Sequence, residues 1–199
     1  MSEETAAHEG HEHGEVVDGE ERDAEAELKR RMAIAQVRQW GDPVLRLKAH
    51  DVTVFDDELA RLTQKMGELM HDARGIGLAA TQIGILRRLF VFQTGAEDDD
   101  AVHVVCNPTV TPAGNELETD DEGCLSLQGV LVPVERPNKV VLEGVDVSGA
   151  PLRMELEGLG ARVVQHELDH LDGVLILDRT DRESRREALK ALRPKPSLD

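Results

Sequence analysis

The stretch that decides the fold of this chain is His166-Glu167-Leu168-Asp169-His170. In a helix, residues four apart lie on one face, so the two histidines can bind the same metal ion. The glutamate beside the first histidine can act as general base on a metal-bound water. Apolar residues surround this motif, and a metal satisfies two buried histidines at once. We therefore predict a largely buried helix from about residue 158 to 172.

A third ligand of a different type is available upstream. Cys124 lies in Glu122-Gly123-Cys124-Leu125-Ser126, a polar turn where a thiolate can reach a metal. Two histidines and one cysteine leave one coordination position open for water, which a catalytic metal site requires. The other cysteine, Cys106, ends an apolar run and is more typical of a small core residue.

The composition indicates one domain with an aliphatic core and an acidic surface. The chain has 199 residues, of which 40% are hydrophobic and only 2% aromatic, and its net charge is −17. This charge argues against a nucleic-acid groove, so we expect no DNA partner. No apolar run is long enough to span a membrane, and two cysteines without a secretion signal do not suggest disulfides. We expect a cytoplasmic monomer.

Residues 1–32 are predicted to be a disordered acidic extension. The first 27 residues contain 11 acidic groups and one basic group, and they lack apolar periodicity. Residues 33–180 are predicted to form the catalytic domain. Residues 181–199 should form a C-terminal helix and tail.

The middle of the chain predicts an α+β fold with mostly antiparallel β-sheets wrapped around a central metal-binding helix. Asp56-Asp57 should start a helix with apolar residues at helical spacing, and Asp181 should cap the final helix. Turns recur about every ten residues between short strands, which favours antiparallel pairing. Strands are expected at 88–93, 102–106, 130–134, 139–147, 152–156 and 174–177.

Three motifs follow one another in the sequence: Gly75-Ile76-Gly77-Leu78-Ala79-Ala80-Thr81-Gln82, Glu122-Gly123-Cys124-Leu125-Ser126 and Gln165-His166-Glu167-Leu168-Asp169-His170. Together they resemble bacterial peptide deformylase over roughly residues 36 to 180. The resemblance implies a metal-dependent hydrolase that removes the N-formyl group from N-formylmethionine at the start of nascent polypeptides and releases formate. It also implies one divalent ion per chain, Fe(II), which Zn(II), Ni(II) or Co(II) can replace.

The resemblance assigns the chemistry to particular residues. Cys124, His166 and His170 would be the metal ligands. Metal-bound water would attack the formyl carbon, with Glu167 as general acid/base.

The resemblance also assigns groups that hold the substrate. The side-chain amide of Gln82 and the backbone N–H of Leu125 would stabilise the charge that develops on the formyl oxygen. Gly75 and Gly77 would line the cleft that binds the substrate backbone, since glycine lets a ligand approach closely.

The chain departs from the family pattern near the substrate pocket. Gln128 stands where the family often has proline, and residues 127–137 contain neither Tyr nor Phe. Arg136 is a candidate for contacting the peptide. The pocket for methionine should be apolar and narrow. Its candidate lining residues are Ile76, Leu127, Val132 and Val163.

The final helix is basic on an otherwise acidic protein. In some members of the family a C-terminal helix docks on the ribosome, and basic residues here could contact RNA in the same way. A solvated helix end is the alternative. The basic residues are Arg182, Arg185, Arg186, Lys190, Arg193 and Lys195.

Two other functions stay open at this point. One is a zinc peptidase whose third ligand comes from downstream, for which Glu183 and Glu187 are candidates. It leaves Cys124 unexplained. The other is a metal-binding protein without activity, but a structural site would want a fourth protein ligand, and none is evident.

Overall fold

The computed structural model describes residues 13–96, 99 and 101–193, and for residues 13–22 it describes the backbone alone. The α-helices in these described residues are α1 His13–Ile34, α2 Asp57–Asp72, α3 Gly158–Leu171, α4 Ile176–Arg179 and α5 Arg182–Ala191. The strands in the same residues are β1 Gly77–Ala79, β2 Leu89–Phe92, β3 His103–Pro112, β4 Leu117–Cys124, β5 Leu127–Pro137, β6 Lys139–Val145 and β7 Pro151–Glu157. Short 3-10 helices span Pro43–Arg46 and Ala80–Ile83.

The strands form two antiparallel sheets. The larger has the order β1-β2-β3-β6-β7, and β4 and β5 form a separate pair. Helix α3 contacts strands of both sheets, because it packs on β1, β2 and β3 as well as on β5. The predicted α+β class, with antiparallel sheets around a central helix, is confirmed.

Helix α3 is central because its apolar side chains are buried against the larger sheet. Ala161, Val164 and Leu171 are fully buried in a cluster with Phe90 and Phe92 of β2. Close packing of this kind leaves the helix no freedom to shift along its axis. The two histidines of its motif are therefore held in fixed positions.

The end of α3 depends on a glycine. Gly173 has a φ of +74°, a left-handed conformation that favours glycine after a helix. A Cβ here would lie 2.6 Å from the carbonyl oxygen of Arg46. The chain can therefore turn directly after the histidine motif and pass close to the segment before α2.

Two predicted helix starts agree with the structure. Asp56 caps α2 by accepting from the N–H of Leu59 at 3.0 Å. Asp181 caps α5 by accepting from the N–H groups of Glu183 and Ser184 at 2.8 Å and 3.0 Å. Both aspartates satisfy N–H groups that would lack partners within their helices.

The prediction that residues 1–32 are disordered is wrong for residues 13–32, because helix α1 spans His13–Ile34. Much of the helix surface is polar, so apolar periodicity could not reveal it. Lys29 pairs with Glu25 one turn earlier at 2.8 Å, and Ala33 is buried where the helix end packs near α2. Tertiary packing of one end and pairs along the surface support such a helix. Residues 1–12 lie outside the described part of the chain.

The strand expected at 174–177 is wrong. Residues Ile176–Arg179 form the short helix α4, and the Asp178 carboxylate accepts from the N–H of Leu175 at 2.9 Å. A short apolar run cannot distinguish a strand from a buried helical turn.

Within the described residues, no helix is both long and apolar enough to cross a membrane.

Candidate metal centre

The structure brings three predicted ligands together. Cys124 lies at the end of β4, and His166 and His170 lie one turn apart in α3. One ligand atom from each residue lies within 4.8 Å of the other two, and Cys124 Sγ is 3.2 Å from His170 Nε2. Among the described residues, this is the group of three whose geometry could hold a metal ion. Neither Glu183 nor Glu187 belongs to it.

The donor set fits a divalent transition metal. One thiolate and two imidazoles suit ions such as Fe(II) or Zn(II), and three protein ligands leave a position open. Burial lowers the pKa of His170 well below its usual value, so the imidazole stays neutral as metal binding requires. The geometry and the donor types of the site therefore fit a metal centre.

An irregularity in the β4–β5 pairing positions the cysteine. The register shifts between Gly123 and Cys124, and Cys124 then pairs with Leu127 across a tight turn. The N–H of Ser126 inside this turn points to Cys124 Sγ at 3.4 Å. The turn therefore holds Cys124 Sγ beside the histidines of α3.

Glu122 orients the first histidine. Its carboxylate accepts from Nδ1 of His166 at 3.0 Å, so the neutral ring carries its proton on Nδ1 and can offer Nε2 to a metal. Arg136 donates to the same carboxylate at 2.6 Å and 2.9 Å, and Arg162 donates at 2.9 Å. The sequence alone does not show this contact, because Glu122 and His166 are 44 residues apart.

Charge neutralisation keeps Glu122 ionised although it is buried. Burial alone would raise its pKa, but the hydrogen bonds from Arg136 and His166 and the positive charge of Arg136 lower the pKa to about 2. The carboxylate is therefore negative at neutral pH and can only accept hydrogen bonds. That fixes the tautomer of His166.

Arg136 does not face the peptide as the sequence analysis suggested. It is 5% exposed and joins Glu122 to Asp169, to which it donates at 2.9 Å. Arg179 also donates to Asp169, at 3.0 Å. The contacts of Arg162, Asp169 and Arg179 in this network were not predicted from the sequence. Only the position of Asp169 between the two histidines was a signal.

Gln82 is buried and held in one orientation. Its Oε1 accepts from the N–H of Ala79 at 2.9 Å, and its Nε2 donates to Ser126 Oγ at 3.2 Å. Nε2 also lies 3.7 Å from Cys124 Sγ, so the amide N–H group is directed at the metal centre. Ser126 therefore belongs to the site, although its contact with Gln82 was not predicted from the sequence.

Glu167 is a buried carboxylate beside the three ligands. It is 3% exposed, and burial raises its pKa to about 7. Its Oε2 has no hydrogen-bond partner among the described residues. A Cβ at Gly77 would lie 2.8 Å from Glu167 Cδ, so only glycine lets β1 approach this carboxylate.

A cavity of about 790 Å³ opens next to the metal centre. Ile76, Leu127 and Val163 line it as predicted, together with the site residues Gly75, Gly77, Gln82, Cys124, Leu125, His166 and Glu167. Val132 was a wrong choice, because it is not among the residues that line the cavity and packs in the core with Leu45 and Leu177. The cavity can accommodate a side chain and a stretch of peptide.

A buried helix with this motif, a cysteine at a strand end and an open cavity define a mononuclear metallohydrolase. The family model described as Polypeptide deformylase matches residues 34–186. The chain belongs to this family, whose members deformylate N-formylmethionyl peptides. That assignment replaces the zinc peptidase and the inactive metal protein as explanations of the motif.

Curated relatives and solved structures agree with the family. A peptide deformylase from Parafrankia is 41% identical over 174 residues, covering 84% of this chain and 93% of that protein. One from Acidothermus cellulolyticus is 46% identical over 162 residues, with coverage of 81% and 87%.

Two of the similar solved structures are from Synechococcus elongatus and Thermus thermophilus. The first, a complex with actinonin, is 43% identical with a TM-score of 0.73, covering 78% of this chain and 85% of that one. The second is 44% identical with a TM-score of 0.71, covering 78% and 91%.

Replacing Glu122 tests whether its carboxylate supports both fold and metal. Glu122→Gln leaves buried Arg136 and Arg162 with an uncompensated charge, so we expect a loss of about 3–5 kcal/mol in the free energy of unfolding. His166 also loses its orienting acceptor, and metal affinity should fall about 10–100-fold. Urea unfolding of the metal-loaded protein and chelator competition measure these effects.

The matched control is Glu118→Gln, which makes the same change at an exposed position of β4. It should alter the unfolding free energy by less than about 0.5 kcal/mol. Equal effects of the two substitutions would contradict the anchoring role of Glu122.

Proposed function

We propose that Cys124, His166 and His170 hold one divalent ion and that Glu167 acts as general acid/base in removing the formyl group from N-formylmethionyl peptides. One observation carries the proposal. Three ligand atoms within 4.8 Å of one another lie beside a buried carboxylate at the wall of an open cavity. Residues 33–180 form the catalytic domain in this proposal.

Fe(II) is the ion we assign to the site, with Zn(II), Ni(II) and Co(II) as substitutes. When bound, the ion lowers the pKa of a coordinated water toward neutrality and so supplies the nucleophile for hydrolysis. The thiolate of Cys124 neutralises one positive charge of the ion and suits a soft metal. Glu122 keeps the imidazole of His166 in the orientation that ligation needs.

Glu167 moves the proton in this mechanism. A carboxyl with a pKa of about 7 can both accept and return a proton near neutral pH. Its unpartnered Oε2 is available to the water and then to the leaving amine. The close packing against Gly77 holds the carboxylate next to the scissile bond.

Gln82 and Leu125 stabilise the negative charge that develops on the formyl oxygen. Because Ala79 holds Oε1 of Gln82, the amide nitrogen is already aimed at the site, and no reorganisation is needed during reaction. Leu125 follows Cys124 and lines the cavity, where its backbone N–H is the second donor. Losing one such donor typically lowers the rate about 10²–10³-fold.

The cavity residues accept the start of a peptide. The small size of Gly75 and Gly77 lets the substrate backbone approach closely, since a Cβ at Gly75 would lie 2.9 Å from Leu125 Cδ1. Apolar Ile76, Leu127 and Val163 receive the methionine side chain.

Formate release from formyl-Met-Ala-Ser tests the proposal. Protein purified anaerobically should carry about one iron per chain and release formate, while Glu167→Gln should keep the metal and lose about 10²–10⁴ in kcat, because the proton acceptor is gone. Glu187→Gln is the matched control. It removes a carboxylate from exposed α5 and should change neither quantity.

Two results would count against the proposal. Full activity of Glu167→Gln would exclude the role given to this carboxylate. Wild-type protein with its metal bound but without formate release would exclude the reaction.

We propose further that the protein is a cytoplasmic monomer whose basic α5 contacts the ribosome. The residues that line the cavity all come from one chain, so the proposed active site needs no second copy. Arg182, Arg186, Lys190 and Arg193 are exposed on or next to α5 and are suited to phosphate contacts. Lys195 lies outside the described residues.

Ribosome co-sedimentation at low salt measures this contact. Arg186→Gln with Lys190→Gln should reduce the bound fraction, since each removes a charge that faces RNA. The control pair is Lys29→Gln with Arg31→Gln on α1, which should bind as wild type does. Unchanged co-sedimentation of the α5 variant would contradict docking through this helix.

A further inference from the structure

Helix α1 lies almost entirely outside the residues that the family model matches, and it reaches the cavity beside the metal centre. The family match begins at residue 34, so nearly all of α1 precedes it. Arg30, in the last turns of α1, nevertheless lines the same cavity as Cys124 and Glu167. The structure therefore places a side chain from outside the family core at the substrate site.

The chain that follows α1 fixes the helix to the site. The N–H of Arg38 donates to the carbonyl of Gln82 at 2.6 Å, and that of Trp40 donates to the carbonyl of Ser126 at 2.8 Å. Between them, Gln39 Nε2 donates to the carbonyl of Leu125 at 3.1 Å. Val37 is buried in the core cluster that also contains Ala33. These bonds hold the end of α1 in place relative to the cavity.

Arg30 and Arg74 form the arginine rim of this cavity, and both line it. Their side chains are 35% and 61% exposed, so the rim lies where the cavity opens to solvent. Glu27 lies near both, with its Oε1 3.4 Å from Arg30 and its Oε2 4.0 Å from Arg74. Two guanidinium groups thus share one carboxylate, which leaves a net positive charge.

The other arginine of the cavity is already neutralised. Arg162 donates to Glu122 at 2.9 Å and is 9% exposed. Asp121 and Glu167 add negative charge on the other walls. Among the described residues that line the cavity, the arginine rim therefore offers a ligand carboxylate a cationic partner away from the proposed metal ion. The position of Glu27 shows that a carboxylate fits between these two guanidinium groups.

We propose that the arginine rim binds a carboxylate of the peptide substrate beyond its first residue, and that α1 thereby determines sequence preference. This inference rests on the proposed function. The formyl group and the methionine side chain occupy the interior, so the following residues reach the open end where the rim lies. The carboxylate is supplied by an acidic side chain or by the C-terminus of a short peptide.

The size of the preference follows from the exposure of the rim. Partly exposed ion pairs change binding modestly, so kcat/KM for an acidic peptide should exceed that of its neutral match about two- to fivefold at low salt. The ratio should fall toward one as salt rises to about 1 M, where the screening length is about 3 Å.

Three peptides separate the sources of the carboxylate. Formyl-Met-Ala-Glu-amide carries it on a side chain, formyl-Met-Ala-Gln with a free C-terminus carries it on the chain end, and formyl-Met-Ala-Gln-amide carries none. Each is assayed with the full-length, metal-loaded protein, and every value of kcat/KM is divided by that of the neutral amide. A raised ratio for either charged peptide supports the proposal and identifies its source.

Variants of α1 test whether Arg30 causes the preference. Arg30→Gln should bring the ratio close to one, and Glu27→Gln should raise it because the competing carboxylate is removed. The matched control is Arg31→Gln, which loses the same charge from the adjacent exposed position and should keep the wild-type ratio.

Two outcomes overturn the inference and leave the reaction intact. One is hydrolysis of all three peptides with equal kcat/KM by the wild type. The other is a wild-type ratio retained by Arg30→Gln. Failure to hydrolyse any of the peptides would instead reject the proposed function.

Discussion

The rest of the site depends on the buried carboxylate of Glu122. It accepts from Nδ1 of His166 at 3.0 Å and from Arg136 and Arg162 at 2.6–2.9 Å, so it joins β4, β5 and α3 at one point. Burying a charge is costly unless partners compensate, and here two guanidinium groups and an imidazole do so. The same interaction that joins the small sheet to the central helix therefore sets the orientation of a metal ligand.

The two carboxylates near the metal centre have opposite environments and different roles. Glu122 is surrounded by donors, and its pKa falls to about 2, so it stays charged and holds its neighbours. Glu167 is buried with an unpartnered Oε2, and its pKa rises to about 7, so it can exchange a proton. The different surroundings of the two carboxylates therefore separate their roles. Glu122 positions its neighbours, and Glu167 is the residue proposed to react. Gln82, fixed by the backbone of β1, is likewise prepared before substrate binds.

Local signals in the sequence were sufficient to predict the fold class and to select the three candidate ligands that the structure brings together. The histidines are four residues apart in one helix, and Asp56 and Asp181 cap helices within three residues of themselves. The structure was needed for features that depend on distant contacts. Arg136 looked like a peptide contact because its partner Asp169 lies 33 residues away, and α1 showed no apolar periodicity because its sequence is largely polar. The prediction for the pocket residue Val132 failed because alternation along a strand indicates which face is buried but not whether a residue on that face reaches the cavity.

Anomalous diffraction from crystals of the anaerobically purified protein, recorded at the iron absorption edge, is the most direct test of this account. The account predicts one iron about 2.0–2.3 Å from Cys124 Sγ, His166 Nε2 and His170 Nε2, with the bond between Glu122 and His166 Nδ1 retained. An ion bound without Cys124, or one that Glu122 ligates directly after releasing His166, would contradict it.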